Sequence, residues 1–453
     1  MIGTRPSVAL RLGAHSEKEY FEKTLRFFDG IIVAANLMES TPGATSSLLV
    51  KFAGASHKLP YMIDPMTYAF GPSVYEGTDT ERTDLDWIKS PQKRDGTIVR
   101  DFKRSYQRLA SELGGVFEAS VTRSKSVLVG DLATPESIIE MCRSVINYQT
   151  SRVRLELEKD DELRRYAGEV PEPTVVLTPY FFITEKEMDT KFQLMIDIAR
   201  TSAAIKCTAP VHAVVCADRA LLLNKTFSDR LAKELPGTGL KGVWLWFSSL
   251  AEEQAQLGEL KALRDIVKAL FDVGMQVHNL HGGFLSLCLS KYGMGCVSHG
   301  VGYGEQKNVV PVVGQATPTV RYYISDVRRR LGVPDIQRCF KALGISTVTD
   351  FHSKICDCAI CRGVVSSSVS DFAQFGVMHY STEDSKRVSQ TPAAAKRCRY
   401  HFLLNRIKER DWLRDATLEE ITVALKNADK IWGKLPLFSD ESTHLATWAS
   451  VLK

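Results

Sequence analysis

Residues 242–248 have the sequence Gly-Val-Trp-Leu-Trp-Phe-Ser, a nearly continuous apolar run of strand length. A helical pattern follows between Ala251 and Phe271, in which leucine and valine recur at helical spacing. A strand that is apolar on both faces, followed by an amphipathic helix, is typical of a parallel sheet covered by helices. This strand–helix pair therefore predicts the α/β class.

Seven further segments have the same apolar strand pattern, and helical patterns separate several of them. Eight such units predict a (β/α)8 TIM-like barrel, although a doubly wound open sheet would show much the same alternation. The barrel is predicted to span residues 1–345, with a polar, mostly helical insertion at about 70–173 between the third and fourth units. The seven segments are Ser7–Gly13, Ile31–Asn36, Pro60–Thr67, Val175–Ile183, His212–Asp218, Met275–Leu280 and Met294–His299.

The composition is that of a globular protein, with 453 residues of which 44% are hydrophobic and 25% charged. The longest apolar runs are too short to cross a bilayer, and the first residues lack a signal-peptide pattern. Ten cysteines, several of them inside apolar runs, fit a reducing compartment, so we expect a cytoplasmic protein with no membrane partner. The net charge of +5 permits a polyanionic partner but does not require one.

Three of the cysteines lie in the sequence Cys356-Asp357-Cys358-Ala359-Ile360-Cys361. Thiolates at this spacing can converge on one soft ion, and a tetrahedral Zn²⁺ then needs a fourth ligand from elsewhere. Solvated free cysteines or a local redox site are the alternatives, but exposed thiols rarely cluster without a ligand. We therefore predict a structural zinc site in a zinc-binding and helical subdomain over residues 346–453.

Candidate functional residues follow from the barrel, because barrel sites lie at the carboxyl ends of the strands. Asp64 is the best single candidate, since Pro65 fixes the chain as it leaves the third strand. Asp218 is a reserve, with a structural ion pair to Arg219 as the alternative. Polar residues at strand ends can also be ordinary caps and turn formers. The other side chains predicted at this rim are Asn36, Tyr180, Ser248, Ser249, His278, His281, His299 and Glu305.

The cysteine cluster and the later sequence Tyr400-His401-Phe402-Leu403-Leu404-Asn405-Arg406 together resemble the tRNA-guanine transglycosylase superfamily, which includes a branch that inserts 7-deazaguanine bases into DNA. In that family the zinc-ligating histidine starts the helix after the cysteines, so the resemblance implies His401 as the fourth ligand. The alternative is His379, in Val377-Met378-His379-Tyr380. We favour His401 because a helix holds an imidazole ligand more firmly.

A second match to the family is Ile63-Asp64-Pro65, where the family places an aspartate that handles protons or contacts the reacting nucleoside. The resemblance therefore implies this role for Asp64. The family's nucleophilic aspartate has no counterpart between Cys296 and Val312, where Glu305 is the sole carboxylate. Its guanine-reading aspartate also lacks a clear counterpart near Thr178-Pro179-Tyr180.

The activity that the resemblance implies is that of a pentosyltransferase, which replaces guanine in nucleic acid with a 7-deazaguanine derivative. Breaking the C1′–N bond passes through an oxocarbenium-like transition state, which a carboxylate stabilises or captures, while a second group handles the proton. We assign Asp64 and Glu305 to these two tasks, without deciding which is the nucleophile, and keep Asp218 as a reserve. Because the nucleotide must leave its stack, we expect aromatic faces to sandwich it. The candidate substrate-binding residues are Tyr68, Tyr180, Ser248, His281, His299 and Tyr303.

The expected partners are DNA or tRNA, a 7-deazaguanine-type base, and a homodimer mate or partner protein. DNA is slightly favoured, because Ile63-Asp64-Pro65 and the missing guanine-reading aspartate look more like the DNA-modifying branch. The missing late-strand aspartate also fits a catalytically reduced relative that binds nucleic acid or supports an active subunit. The mild net charge fits a further alternative, a metal-stabilised barrel that acts on a small nucleoside or another glycosylated metabolite. The candidate nucleic-acid contacts, for which a solvated helix face is the alternative, are Arg321, Arg328, Arg329, Arg330, Arg399 and Arg406.

Overall fold

Eight parallel strands follow one another, in chain order, around a nearly closed barrel. A computed structural model of the chain describes residues 6–54, 58–74, 81–89, 102–159, 161–167, 170–302, 305–309, 319–380, 388–435 and 444–453. The barrel strands are β1 (Ser7–Leu12), β2 (Gly30–Ala34), β3 (Tyr61–Asp64), β4 (Val176–Leu177), β5 (Val211–Asp218), β6 (Gly242–Ser248), β7 (Gln276–Asn279) and β8 (Met294–His299).

The first and last strands pair in parallel, which brings the two ends of the strand series together. The remaining neighbours pair in order, except β3 and β4. Between these two, the described residues show a single backbone hydrogen bond, from Thr174 N, just before β4, to Tyr61 O of β3 (2.8 Å). A further short strand, Phe182–Ile183, pairs with the carboxyl half of β5. A doubly wound sheet keeps two open edges. Here the edge strands face each other, so the barrel prediction is confirmed.

Burial explains why the strand sequences lack polar alternation. All seven residues of β6 and all five of β2 are buried, because barrel strands face side chains inside and helices outside. The helix after β6 begins at Leu257, six residues later than the pattern from Ala251 predicts. Glu259 accepts a hydrogen bond from the backbone N–H of Gln256 (2.8 Å), and this capping contact sets the start of the helix.

Seventeen α-helices lie within the described residues. The insertion between β3 and β4 contains α4 to α7, and it is anchored by Arg152, whose guanidinium binds the buried Glu39 of α2 (2.7 Å). The helices are α1 (Lys18–Thr24), α2 (Ala35–Ser40), α3 (Pro42–Ala53), α4 (Arg104–Leu113), α5 (Gly115–Arg123), α6 (Pro135–Leu157), α7 (Asp161–Ala167), α8 (Met188–Ala204), α9 (Lys225–Glu234), α10 (Leu257–Asp272), α11 (Phe284–Cys288), α12 (Val333–Cys339), α13 (Val348–Lys354), α14 (Ala359–Val364), α15 (Pro392–Asp415), α16 (Leu418–Trp432) and α17 (His444–Val451).

A second hydrophobic cluster lies apart from the barrel core and surrounds the cysteines. It already includes Val320 and Tyr322, while the predicted subdomain boundary at residue 345 remains a prediction. Helix α15 contributes Cys398 to this cluster and Phe402 to the barrel core, so it joins the two. Short antiparallel hairpins complete this region, pairing Tyr322–Ile324 with Arg329–Leu331 and Met378–Tyr380 with Val388–Gln390. No helix in the described ranges is both long and apolar enough to cross a membrane.

Candidate functional site

The three cysteines and one histidine of the sequence prediction converge. Cys356, Cys358, Cys361 and His401 are buried, and their ligand atoms all lie within 4.8 Å of one another. His401 Nδ1 lies 3.4 Å from Cys358 Sγ and 3.3 Å from Cys361 Sγ. Three sulfurs and one ring nitrogen this close form the donor set of a closed tetrahedral site. The cluster is therefore compatible with a bound metal ion.

The alternative ligand, His379, lies elsewhere. It is exposed on the hairpin strand Met378–Tyr380 and does not belong to the cluster. His401 does not start its helix as the family pattern implies, because α15 begins nine residues earlier, at Pro392. His401 thus lies near the middle of a long helix, and the helical turns on both sides of it fix its position.

Backbone N–H groups of the cysteine loop donate hydrogen bonds to the sulfurs of the same loop. Cys358 N donates to Cys356 Sγ, and Cys361 N donates to Cys358 Sγ, both at 3.4 Å. Cys358 is also the residue that caps α14. The C-x-C-x-x-C spacing therefore allows one turn and one helix start to point three sulfurs the same way.

A second layer of contacts orients the imidazole. His401 Nε2 lies 2.6 Å from the carbonyl oxygen of Tyr323, so with its proton on Nε2 the ring turns Nδ1 towards the sulfurs. The ring of Tyr322 stacks on that of His401, with centroids 4.0 Å apart. Burial lowers the pKa of His401, but hydrogen bonds with Cys356 and Cys358 outweigh it and raise the pKa to about 9. A metal ion would therefore displace a proton from this ring.

Asp64 ends β3 with no exposed surface, and three groups hold its carboxylate. Arg11 Nη2 lies 2.6 Å from Oδ2, while the Tyr180 hydroxyl (2.6 Å) and Met66 N (3.1 Å) donate to Oδ1. Burial raises the pKa of Asp64, but Arg11 and the Tyr180 hydrogen bond outweigh it and keep the pKa below its usual value. The carboxylate is therefore ionised at neutral pH.

The aromatic side chains around Asp64 pack on one another. Tyr68 and Tyr180 are stacked with centroids 5.7 Å apart, and Trp246 meets Tyr68 edge-on at 4.9 Å. Thr67 Oγ1 donates to Tyr180 O and accepts from Tyr180 N, which ties the two loops together (2.8 and 2.7 Å). The two tyrosine rings therefore pack on each other beside Asp64, and the stacking of a target base on either ring stays a prediction.

The sequence reasoning missed Arg11 and Lys307. Lys307 Nζ lies 5.6 Å from the ring centroid of Tyr68 and 5.3 Å from that of Trp246. Burial, together with the positive charge of Arg11, lowers the pKa of Lys307 to about 8, although Asp64 acts in the opposite direction. A signal for Arg11 was present, because it is the one charged residue in the buried strand Ser7–Leu12.

Glu305 lies at the same end of the barrel as Asp64, in the segment that continues to Lys307. Its carboxylate is held by Arg330 (2.8 Å) and by the fully buried Arg406. Burial raises the pKa of Glu305, but Arg330 and Arg406 outweigh it and lower the pKa below its usual value. The two predicted catalytic carboxylates are therefore both ionised, and each already has a cationic partner.

Asp218 and Ser248 have structural contacts at their strand ends. Asp218 Oδ1 accepts a hydrogen bond from Ala220 N (2.9 Å) and so caps a short 3-10 helix. Arg219 binds Glu259 (2.8 Å), so the cap explains Asp218 better than the ion pair proposed as its alternative. Ser248 Oγ accepts from Val309 N (2.9 Å), which fastens the chain after Lys307 to β6.

The predicted rim histidines are buried. The His281 ring lies 4.8 Å from that of Trp246. His299 Nδ1 lies 2.8 Å from Gly300 O, and burial lowers the pKa of His299 to about 3, so the ring is neutral. His278 stacks on His212 inside the barrel, with centroids 5.5 Å apart. Tyr303 lies outside the described residues.

Most of the predicted nucleic-acid contacts are engaged with acidic or aromatic partners. Arg328 binds Glu409 (2.7 Å) and Arg329 binds Glu253 (3.3 Å). Arg406 has no exposed surface, and its guanidinium binds Glu305 and Glu409. The partly exposed Arg399 lies 3.3 Å from the Tyr20 hydroxyl. Arg321 is exposed and, with residues 328–330, lines a cleft of about 670 Å³.

No protein-family model matches the chain, and no curated protein matches it. The tRNA-guanine transglycosylase relationship therefore remains a prediction from the residues quoted above.

Proposed function

We propose that the protein is a base-exchange transglycosylase, which replaces guanine in nucleic acid with a 7-deazaguanine derivative at the barrel rim beside Asp64. The observation that carries this proposal is an ionised carboxylate, surrounded by aromatic rings, at the carboxyl end of a barrel strand. A fixed negative charge stabilises the oxocarbenium-like transition state in which a C1′–N bond breaks.

Asp64 serves this reaction as a charge stabiliser. Both of its oxygens accept hydrogen bonds, Oδ1 from Tyr180 and Met66 and Oδ2 from Arg11. Attack on C1′ would require one of these bonds to break, whereas electrostatic stabilisation needs no movement of the carboxylate. Because Asp64 has no exposed surface, the nucleotide reaches it only after side chains above it move.

A structural zinc ion is the proposed occupant of the Cys₃His cluster. Four protein ligands leave no open position for catalysis, and three sulfurs with one imidazole suit Zn²⁺. His401 and Arg406 lie on the same helix, α15, and Arg406 binds Glu305, in the segment 305–309 that follows β8. Zinc would thus fix the helix that holds this segment in place.

DNA is the proposed acceptor, and tRNA is the alternative. The cleft lined by Arg321 and residues 328–330 lies beside Glu305, so a nucleic acid strand bound there would have its phosphates near the rim. Arg321 is exposed and serves as the direct phosphate contact, whereas the neighbouring Arg328 and Arg330 bind glutamates.

A catalytically reduced relative that supports a partner subunit is the second candidate. It is favoured by the internal partners of the predicted carboxylates: Asp64 binds Arg11, Glu305 binds Arg330, and Asp218 caps a helix. Such a protein would bind nucleic acid and metal without exchanging a base.

Base exchange is tested with duplex DNA and tRNA that carry labelled guanine, incubated with unlabelled 7-deazaguanine bases. We expect the wild-type protein to release label, and Asp64→Asn to lower the rate by about 100-fold or more, because the stabilising charge is lost. Asp265→Asn, at an exposed aspartate of α10, is the matched control and should retain the wild-type rate. Zinc content and circular dichroism verify folding. Release at the wild-type rate by Asp64→Asn refutes the role of Asp64, and nucleic-acid binding without release by the wild type supports the partner-subunit alternative.

A further inference from the structure

The carboxylates described at the barrel rim are all held by structural partners. Besides Asp64, Glu305 and Asp218, the buried Glu252 accepts hydrogen bonds from Gly283 N (2.7 Å) and from neighbouring groups of α11. A carboxylate nucleophile would therefore have to leave an existing partner before it could attack C1′. A nucleophile that needs no such rearrangement would have to be a group other than these carboxylates.

Lys307 carries such a group. Its Nζ lies over the faces of Tyr68 and Trp246, and within the described part of the chain it has no hydrogen-bond or ion-pair partner. Aromatic faces attract an ammonium group but accept no proton from it. Lys307 is partly exposed, whereas Asp64 and Arg11 are buried, so among these three charged side chains it is the most accessible to a substrate.

The backbone around Lys307 is fixed to the end of β6. Lys307 O accepts hydrogen bonds from Trp246 Nε1 (2.9 Å) and Ser249 N (3.4 Å), and Val309 N donates to Ser248 Oγ (2.9 Å). The side chain therefore starts from a defined position beside Asp64. Preorganisation of this kind is what a nucleophile requires.

The surroundings also raise the share of the neutral amine. Burial and the nearby Arg11 lower the pKa of Lys307 to about 8, although Asp64 acts in the opposite direction. Lys307 therefore loses its proton more readily near neutral pH than a lysine with the ordinary pKa of 10.5. An amine desolvated in this way is a competent nucleophile.

We propose that Lys307 is the covalent nucleophile of the base exchange, attacking C1′ of the target nucleotide with its Nζ. This inference rests on the proposed function and supplies the nucleophile which that function lacks. Asp64, held by Arg11 and Tyr180, stabilises the positive charge that develops on the sugar during the attack.

The proposed reaction needs no oxidant or reductant. The lone pair of neutral Nζ forms a bond to C1′, the electron pair of the C1′–N9 bond leaves with guanine, and guanine takes a proton lost by the attacking nitrogen. The nitrogen then forms a double bond to C1′ as the C1′–O4′ pair moves to O4′, which takes a proton from water. The product is a protonated imine. Attack by the incoming base, with ring closure, reverses these steps and releases Lys307.

The test is reductive trapping. Wild-type protein is incubated with guanine-containing duplex DNA or tRNA and sodium cyanoborohydride, which reduces the imine to a stable amine. We expect a covalent protein–nucleic acid adduct that mass spectrometry locates on Lys307. Lys307→Arg should give no adduct and lower the rate of base exchange by about 1000-fold or more. Lys268→Arg, on the exposed face of α10, is the matched control and should trap normally.

The outcomes separate this inference from the proposed function. If the wild type exchanges guanine without a trapped adduct, or if folded Lys307→Arg still exchanges it, Lys307 is not the nucleophile and the proposed function stands. Because the adduct is located on the wild-type chain, trapping can be read even where the variant folds poorly.

If the wild type neither exchanges guanine nor forms an adduct, the proposed function fails and the reactivity of Lys307 decides the inference. Formaldehyde with cyanoborohydride at pH 7.5 should then methylate Lys307 about tenfold or more faster than Lys268. That result supports an imine-forming lysine that acts on another substrate, and equal rates overturn the inference.

Discussion

Arg11 on the first barrel strand binds Asp64 on the third, with 2.6 Å between Nη2 and Oδ2. Strand β2 lies between these two strands and pairs with both, so the Arg11–Asp64 contact reaches across β2. Arg11 Nη1 is buried and has no hydrogen-bond partner among the described residues, so one nitrogen of the guanidinium keeps an unused donor. The pair keeps the Asp64 carboxylate charged inside the protein.

Breaking this pair should cost considerable stability. Removing one partner leaves the other charge buried and uncompensated, which typically costs about 3–5 kcal/mol. We expect Arg11→Gln to lower the free energy of unfolding by about this amount in denaturant titrations, and Arg11→Gln with Asp64→Asn to recover part of it. Lys23→Gln, which breaks the exposed pair with Glu19, should cost at most about 1 kcal/mol. An equally small effect of Arg11→Gln would contradict the role given to the buried pair.

Metal content should depend on His401 and not on His379. We expect purified wild-type protein to hold one zinc ion per chain, and Cys361→Ala and His401→Ala to lose it, because three ligands hold zinc poorly. His379→Ala, in the exposed hairpin, is the matched control and should retain the ion. Elemental analysis and melting temperature with and without a chelator provide the measurements. Full zinc content in His401→Ala would exclude His401 as a ligand.

Asn405 offers a graded version of the same test. Its Nδ2 donates to His401 O (2.8 Å) and lies 3.6 Å from Cys356 Sγ, so it supports a ligand without being one. Groups of this kind typically change metal affinity by about 10–100-fold. Asn405→Ala should therefore weaken zinc binding in competition titrations by about that factor while keeping the stoichiometry. An unchanged affinity would show that Asn405 does not orient the ligands.

The barrel and the cysteine cluster were predictable because each leaves a local pattern, whereas His401 came from the resemblance. Apolar strands such as β6 alternate with amphipathic helices, and the C-x-C-x-x-C spacing brings three sulfurs together within one turn. Lys307 left no such pattern. Its position near Asp64 depends on barrel closure and on the fastening of its backbone to Trp246, which no stretch of sequence displays. Glu305 was predicted as catalytic, yet its partner Arg406 lies on a distant helix that sequence spacing does not place.

Acid should destabilise the fold through the stacked imidazoles of His212 and His278. Burial lowers the pKa of His212 to about 4 in the folded protein, against about 6.5 in the unfolded chain. Since the unfolded chain binds the proton more tightly, the stability is complete above pH 6.5 and falls as the pH is lowered towards 4. His212 alone should contribute a loss of about 3 kcal/mol by pH 4. The difference in unfolding free energy between the wild type and His212→Gln should change by this amount between pH 7 and pH 4. A constant difference would contradict the argument.

Nucleic-acid binding should depend on Arg321 more directly than on its neighbours. Arg321 is exposed on the cleft, whereas Arg328 and Arg330 bind Glu409 and Glu305, so replacing those two would disturb the fold. Each phosphate contact releases about one counterion, so Arg321→Gln should lower affinity and reduce the salt dependence of binding, in log–log form, by about one unit of slope. Arg154→Gln, an exposed arginine on α6, is the matched control and should leave the slope unchanged. Equal slopes for wild type and Arg321→Gln would remove the cleft from the binding surface.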